Sequence, residues 1–173
     1  MKQKIIYTIG HSTRPIEDFI DLLRNYEIEM LIDVRTIPKS RFNPQYNKEI
    51  LNSVLQDSDI RYQHLTKLGG LRHTIKDSIN IGWRNLSFRG FADYMQTSLF
   101  KERLEELETL GKEYNSAIMC AEAVPWRCHR SLIADALTVH KWKVFHIFTK
   151  KSVKLHELTP FLHVKKEQLI YEN

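Results

Sequence analysis

Five short apolar runs punctuate the chain, and polar, helix-periodic segments separate them. Lys4–Ile9 is β-branched and stops at Gly10. Met30–Val34 stops at Arg35. Ile60–Leu65 is the weakest of the set, Ala117–Cys120 is uninterrupted, and Lys143–Ile147 closes the series. Runs of this length bounded by turn residues predict buried strands. Between the first two, Pro15 suits a helix start, Glu17 and Asp18 suit its dipole, and Ile16, Phe19, Ile20 and Leu23 share a face, so a helix is expected to about Asn25. Lys48–Gln56, Gly90–Thr97, Phe100–Leu110 and His129–His140 read as further helical pieces. Thr66–Arg89 has no clean period and reads as a long lid or binding loop. Phe148–Asn173 is mixed, with Gln168–Tyr171 expected as a small edge strand.

Strands alternating with helices predict an α/β fold: a single three-layer, Rossmann-like domain with a mostly parallel sheet of about five strands and helices on both faces. The domain is read as residues 1–173, with a core over 4–147 and a C-terminal extension over 148–173. In open sheets of this kind ligands bind outside the carboxyl ends of the strands. Three strands deliver polar groups there: Gly10-His11-Ser12 after the first, Asp33 and Arg35 after the second, and Cys120 with Glu122 after the fourth.

The densest chemistry lies in Ser116–Arg130. Both cysteines, Cys120 and Cys128, fall in this stretch with Glu122, Arg127, His129 and Arg130 around them, where a strand gives way to a loop and a helix start. Free N–H groups and the helix dipole favour negative charge at such a turn, and a thiol in that field ionises more readily. Cys120 and Cys128 are the candidate nucleophiles, with Cys128 the more activated by its neighbours and Cys120 the more buried. His11, Glu122 and Asp33 are candidate proton carriers. Gly10, Ser12, Arg35, Arg41, Gly69, Gly70, His129 and Arg130 are candidate substrate contacts, the arginines as two-pronged anion clamps and the glycines as places of close backbone approach. For each there is an ordinary structural role: a buried thiol, an ion pair at the sheet edge, a turn-ordering histidine, a solvated arginine.

Composition adds bounds. The chain has 173 residues, 42% hydrophobic and 27% charged, which suits one globular domain. Two cysteines do not make a disulfide framework, and the start Met1-Lys2-Gln3-Lys4 carries no apolar leader, so a reducing, cytoplasmic setting is expected, with no membrane partner. The net charge of +5 is dispersed along the chain and allows polyanion binding without requiring it. No P-loop, G-x-G-x-x-G, C-x-x-C or H-E-x-x-H spacing is present, so no cofactor and no metal is implied.

The motifs T-I-G-H-S (Thr8–Ser12), L-I-D-V-R (Leu31–Arg35), P-K-S-R (Pro38–Arg41), L-G-G (Leu68–Gly70), C-A-E (Cys120–Glu122) and C-H-R (Cys128–Arg130) together resemble the DUF488 family, prokaryotic α/β domains of unsettled function. The resemblance implies a compact domain with these motifs lining one site, and it supplies no reaction. L-I-D-V-R is also similar to a rhodanese strand, and the Cys–loop–Arg turn to sulfurtransferases and tyrosine phosphatases. Yet the stretch from Cys120 to Arg127 is one residue longer than the phosphatase loop, lacks its glycine, and carries Glu122, which would repel phosphate. The expectation is a cysteine-dependent enzyme, a transferase or hydrolase, acting on a small anionic substrate that is nucleotide-like or sulfur-bearing. The alternative is a non-catalytic module that binds nucleic acid or a nucleotide in the same basic pocket. Oligomeric state is left open.

Overall fold

Residues 3–173 are described in a computed structural model. Met1 and Lys2, counted in the domain and the leaderless start read from the sequence, lie outside the described residues. The strands are β1 (Ile5–Gly10), β2 (Met30–Asp33), β3 (Arg61–His64), β4 (Ser116–Cys120), β5 (Lys143–Thr149), β6 (Ser152–Leu155), β7 (Leu162–Lys165) and β8 (Gln168–Tyr171). The helices are α1 (Ile16–Asn25), α2 (Lys48–Asp57), α3 (Leu86–Tyr94), α4 (Ser98–Glu113) and α5 (Arg130–Val139).

The first six strands form one sheet in the order β3-β2-β4-β1-β5-β6, parallel except for β6, which turns back antiparallel on β5. The sheet therefore has one strand more than the sequence pattern suggests. Residues 152–155 are exposed along their whole length, and Val153 and Leu155 alternate with Ser152 and Lys154 without forming the continuous apolar run by which the other strands were read. Gln168–Tyr171 is a strand, but it pairs with β7 in a separate two-stranded sheet rather than edging the main one. The long unpatterned segment also gives way earlier than expected, because Asn85 caps α3 by accepting from the Ser87 and Phe88 N–H groups.

Period-two alternation along the central strands divides the core. Ala117 and Met119 face a cluster built by α1 and α2 around Phe19, Leu23, Leu51 and Leu55. Ile118 and Cys120 face the other cluster, built by α3, α4 and α5 around Phe91, Leu104, Leu107 and Leu132, which Leu169 and Tyr171 of β8 also join. β1 and β4 are adjacent at the centre. The helix after β1 lies on one face and the helix after β4 on the other, which opens a crevice outside their carboxyl ends.

Candidate functional site

Backbone hydrogen bonds carry the strand pairing past the sheet edge and assemble the crevice. β1 and β4 pair with Gly10 opposite Cys120. Beyond it the His11 N–H donates to the Cys120 carbonyl at 3.0 Å and the Ser12 N–H to that of Ala121 at 2.9 Å. On the other side the Val34 N–H donates to the Met119 carbonyl at 3.0 Å, which sets Arg35 at the same rim. Gly10 is a spacer: a Cβ there would stand 1.7 Å from the Glu122 carbonyl oxygen. The result is a cavity of about 600 Å³ whose lining includes His11, Ser12, Arg35, Gly70, Cys120, Glu122, Cys128 and His129, with Lys39 and Arg127 also on its wall.

At the floor the Cys120 and Cys128 sulfurs are in direct contact and paired as a disulfide, with Cα atoms 7.4 Å apart. Both residues are buried, at 2% and 5% exposure, against the α3–α5 apolar cluster, and polar groups also meet their sulfurs. Arg130 reaches Cys120 rather than its near neighbour Cys128: its Nη1 donates to Cys120 Sγ at 2.6 Å and to the Glu122 carbonyl at 2.6 Å. Its Nη2 donates to the Ala123 carbonyl at 3.2 Å, and its Nε to Thr8 Oγ1 at 3.3 Å. Every acceptor is neutral. Arg130 is 1% exposed, and no carboxylate pairs with it among the described residues. Desolvation lowers its pKa from the ordinary value to about 10.

Cys128 has a different surrounding. It receives the Arg130 backbone N–H at 3.5 Å, at the start of α5. His129 donates from Nε2 to the Val34 carbonyl at 2.9 Å, so its Nδ1 in the neutral ring is a lone pair, and that atom lies 3.5 Å from Cys128 Sγ. Burial lowers the His129 pKa to about 4, which keeps the ring neutral and makes it a weak base. Gly70 makes room for it: a Cβ there would stand 2.6 Å from His129 Nδ1. His129 therefore touches a sulfur as well as lining the cavity where a substrate contact was expected of it.

Asp33 and Arg35 form a closed pair. Arg35 Nε and Nη2 donate to the two oxygens of Asp33 at 2.9 and 2.7 Å, and the Arg35 backbone N–H adds a third bond at 3.1 Å. Tyr62 donates to the same carboxylate at 2.6 Å. Asp33 is fully buried and absent from the cavity wall, so it positions Arg35 and has no free oxygen facing the crevice. His11 stacks on Tyr46 with centroids 4.1 Å apart. It donates from Nδ1 to the Ser12 carbonyl at 2.8 Å, and its Nε2 lies 3.4 Å from Arg35 Nη1. Burial lowers its pKa to about 4.

Two expected contacts fall elsewhere. Arg41 is exposed beside Phe42, with 5.9 Å from guanidinium to ring, and does not line the cavity. Gly69 packs against Thr36, where a Cβ would stand 2.2 Å from Thr36 Oγ1. Glu122 is on the wall with an exposed side chain, and only its carbonyl touches Arg130. Sequence reasoning passed over Thr8, Tyr46 and Tyr62. The signal for Thr8 was a hydroxyl in an otherwise apolar strand, at a buried position. The tyrosines carried no pattern that separates them from core aromatics.

Fold and site together define an α/β domain with a paired-cysteine pocket at the carboxyl edge of a mostly parallel sheet. The chain belongs to the DUF488 family: the model of the "Domain of unknown function DUF488" matches residues 15–137. That span holds every quoted motif except T-I-G-H-S, which precedes it. Comparison with curated proteins and with solved structures gave no match for the chain.

Proposed function

We propose that the protein is a cysteine-dependent enzyme that acts on a small anionic, sulfur-bearing substrate at this pocket. The observation that carries the reading is Arg130: a buried guanidinium with no salt bridge to a carboxylate among the described residues, its Nη1 2.6 Å from Cys120 Sγ. A buried cation is costly without an anion, and a Cys120 thiolate is the anion within its reach. Charge-assisted hydrogen bonding to the ionised form lowers a thiol pKa.

In the reduced protein Cys120 is then the attacking thiolate. It forms an S–S bond to a sulfur of the substrate, and the anionic remainder leaves with the bonding pair. The Cys128 thiol gives its proton to water, and the Cys128 thiolate attacks the Cys120 sulfur. This closes the Cys120–Cys128 disulfide and releases the transferred sulfur, which takes up that proton, as hydrosulfide. An external dithiol resets the pair. Lys39 and Arg127 supply positive charge for the substrate's anionic group.

The test is iodoacetamide alkylation of each single-cysteine variant, reduced, as a function of pH. The reading expects Cys120 to break well below the free-thiol value of about 8.5. Two inert buried thiols remove the nucleophile. The second reading, a nucleic-acid or nucleotide module, is favoured by one feature: Phe42 is 86% exposed next to Arg41, the aromatic–basic pairing on which a single strand stacks. Its test is polynucleotide affinity against salt, where weak binding with a shallow slope removes it.

A further inference from the structure

Behind Arg130 runs a continuous chain of polar side chains that the cysteine chemistry leaves unused. Thr8 Oγ1, which accepts from Arg130 Nε, lies 2.6 Å from His146 Nδ1. His146 Nε2 lies 2.8 Å from His156 Nδ1, and His156 Nε2 lies 2.8 Å from Asp135 Oδ1. Asp135 is fully buried and also accepts from the Thr159 N–H at 3.1 Å, the Thr159 hydroxyl at 2.7 Å and the Tyr171 hydroxyl at 2.9 Å.

The end groups fix the polarity of the chain. A guanidinium only donates and a carboxylate only accepts. With both imidazoles neutral, one arrangement satisfies every atom: Arg130 donates to Thr8, Thr8 to His146 Nδ1, His146 Nε2 to His156 Nδ1, and His156 Nε2 to Asp135. Burial keeps His146 neutral by lowering its pKa to about 3, with the positive fields of Arg130 and Lys154 acting in the same direction. The other charged or titratable groups facing the chain are Tyr171 at the Asp135 end, and Arg14 and Glu122 at the Arg130 end. A buried cation and a buried anion, five residues apart on α5, are thus joined through Thr8, His146 and His156 instead of by direct contact.

The geometry points to Thr8, His146, His156 and Asp135 as positioning residues for Arg130, holding its Nε so that Nη1 faces Cys120 and placing its counter-charge at a distance. This rests on the thiolate reading of Cys120. A carboxylate in direct contact would cancel the guanidinium's field at the sulfur; the remote one leaves most of it there. The two ends of the chain therefore act on Cys120 in opposite directions. Loss of the Thr8 hydroxyl frees the guanidinium and weakens the thiolate. Loss of the Asp135 charge strengthens the positive field and favours the thiolate further.

The experiment measures the pH break of Cys120 alkylation in the reduced full chain carrying Cys128→Ser. Thr8→Val is expected to raise the break by about one unit, a tenfold loss of thiolate at pH 7. Thr8→Ser is expected to restore it, and Asp135→Asn to lower it. A shift of the same sign in Thr8→Val and Asp135→Asn, or no shift in either, overturns the proposal. Should a variant fail to fold, imidazole ¹⁵N spectra of the unaltered chain read the arrangement directly. His146 is expected neutral with Nδ1 unprotonated at pH 7, and the resonances of both rings are expected to move when the disulfide is reduced, although neither ring touches sulfur. An Nδ1-protonated tautomer, or resonances indifferent to the redox state, overturns it. A break near 8.5 in the Cys128→Ser chain refutes the thiolate reading and the proposal with it; a depressed break that neither Thr8→Val nor Asp135→Asn moves refutes the positioning role alone.

Discussion

Two buried arginines face the same crevice and are held in opposite ways. Arg35 is clasped by the carboxylate of Asp33 on two of its nitrogens, so its charge is balanced within contact distance. Arg130 is at least as deeply buried, yet all its acceptors are neutral: a sulfur, two carbonyls and a hydroxyl. The first arrangement is a brace; it locks the β2 end to Tyr46 and Tyr62 and leaves only Nη1 toward His11. On the proposed reading the second leaves a charge with a function, because a buried cation without a contacting carboxylate stabilises whatever anion forms beside it. Position at a sheet edge does not separate the two roles. The distribution of counter-charge does.

Acid tests both regions at once. His11 stands against Arg35, and His146 stands one hydroxyl away from Arg130; their pKa values are lowered to about 4 and about 3, and that of His129 to about 4. A folded pKa below the unfolded value of about 6.5 means that the unfolded chain binds more protons, so this stability is full above that value and falls as pH drops toward the folded pKa. Between pH 7 and pH 5 the loss is on the order of 2 kcal/mol for each of the three imidazoles. Urea unfolding at the two pH values measures it, and a flat profile would mean that the rings are charged in the fold.

Removing one partner from each arginine sharpens the contrast. Asp33→Ala leaves Arg35 buried and unpaired and is expected to cost about 3–5 kcal/mol in denaturant unfolding. Arg130→Met removes a cation that has no ion pair to break, so its stability cost is expected to be smaller, while Cys120 alkylation at pH 7 drops by about tenfold or more. A large stability loss with unchanged alkylation would reverse the two assignments. The mildest change is Gly70→Ala, whose Cβ displaces the His129 ring from Cys128. It is expected to cost about 1 kcal/mol and to slow Cys128 alkylation while sparing Cys120.

The strands of the crevice were legible because each is an apolar run closed by a turn residue, and the polar residues that follow them fall on the rim by topology alone. That His11, Arg35, Cys120 and Cys128 share a wall follows from that reading. The aim of Arg130 did not. At a helix start the neighbours Cys128 and Arg130 point in different directions, and the guanidinium extends back across the sheet to the end of β4. The chain behind it was hidden by separation, since Thr8 and His146 meet across 138 residues. A trace of it was present all the same: Asp135 sits among Leu132, Ile133, Ala136 and Leu137, the apolar stretch of α5 that follows Arg130 and Ser131, and His146 lies between Val144 and Ile147 in a core strand. β6 has no continuous apolar run to read, and its residues are exposed on both sides.

The most direct measurement is the pH dependence of alkylation of the reduced Cys128→Ser chain, with and without Arg130→Met. A Cys120 break at least about one unit below 8.5 that climbs back when the guanidinium is removed is the expected result. A break at the ordinary thiol value, or one that Arg130→Met leaves in place, contradicts the assignment of Arg130 as the counter-charge of a Cys120 thiolate.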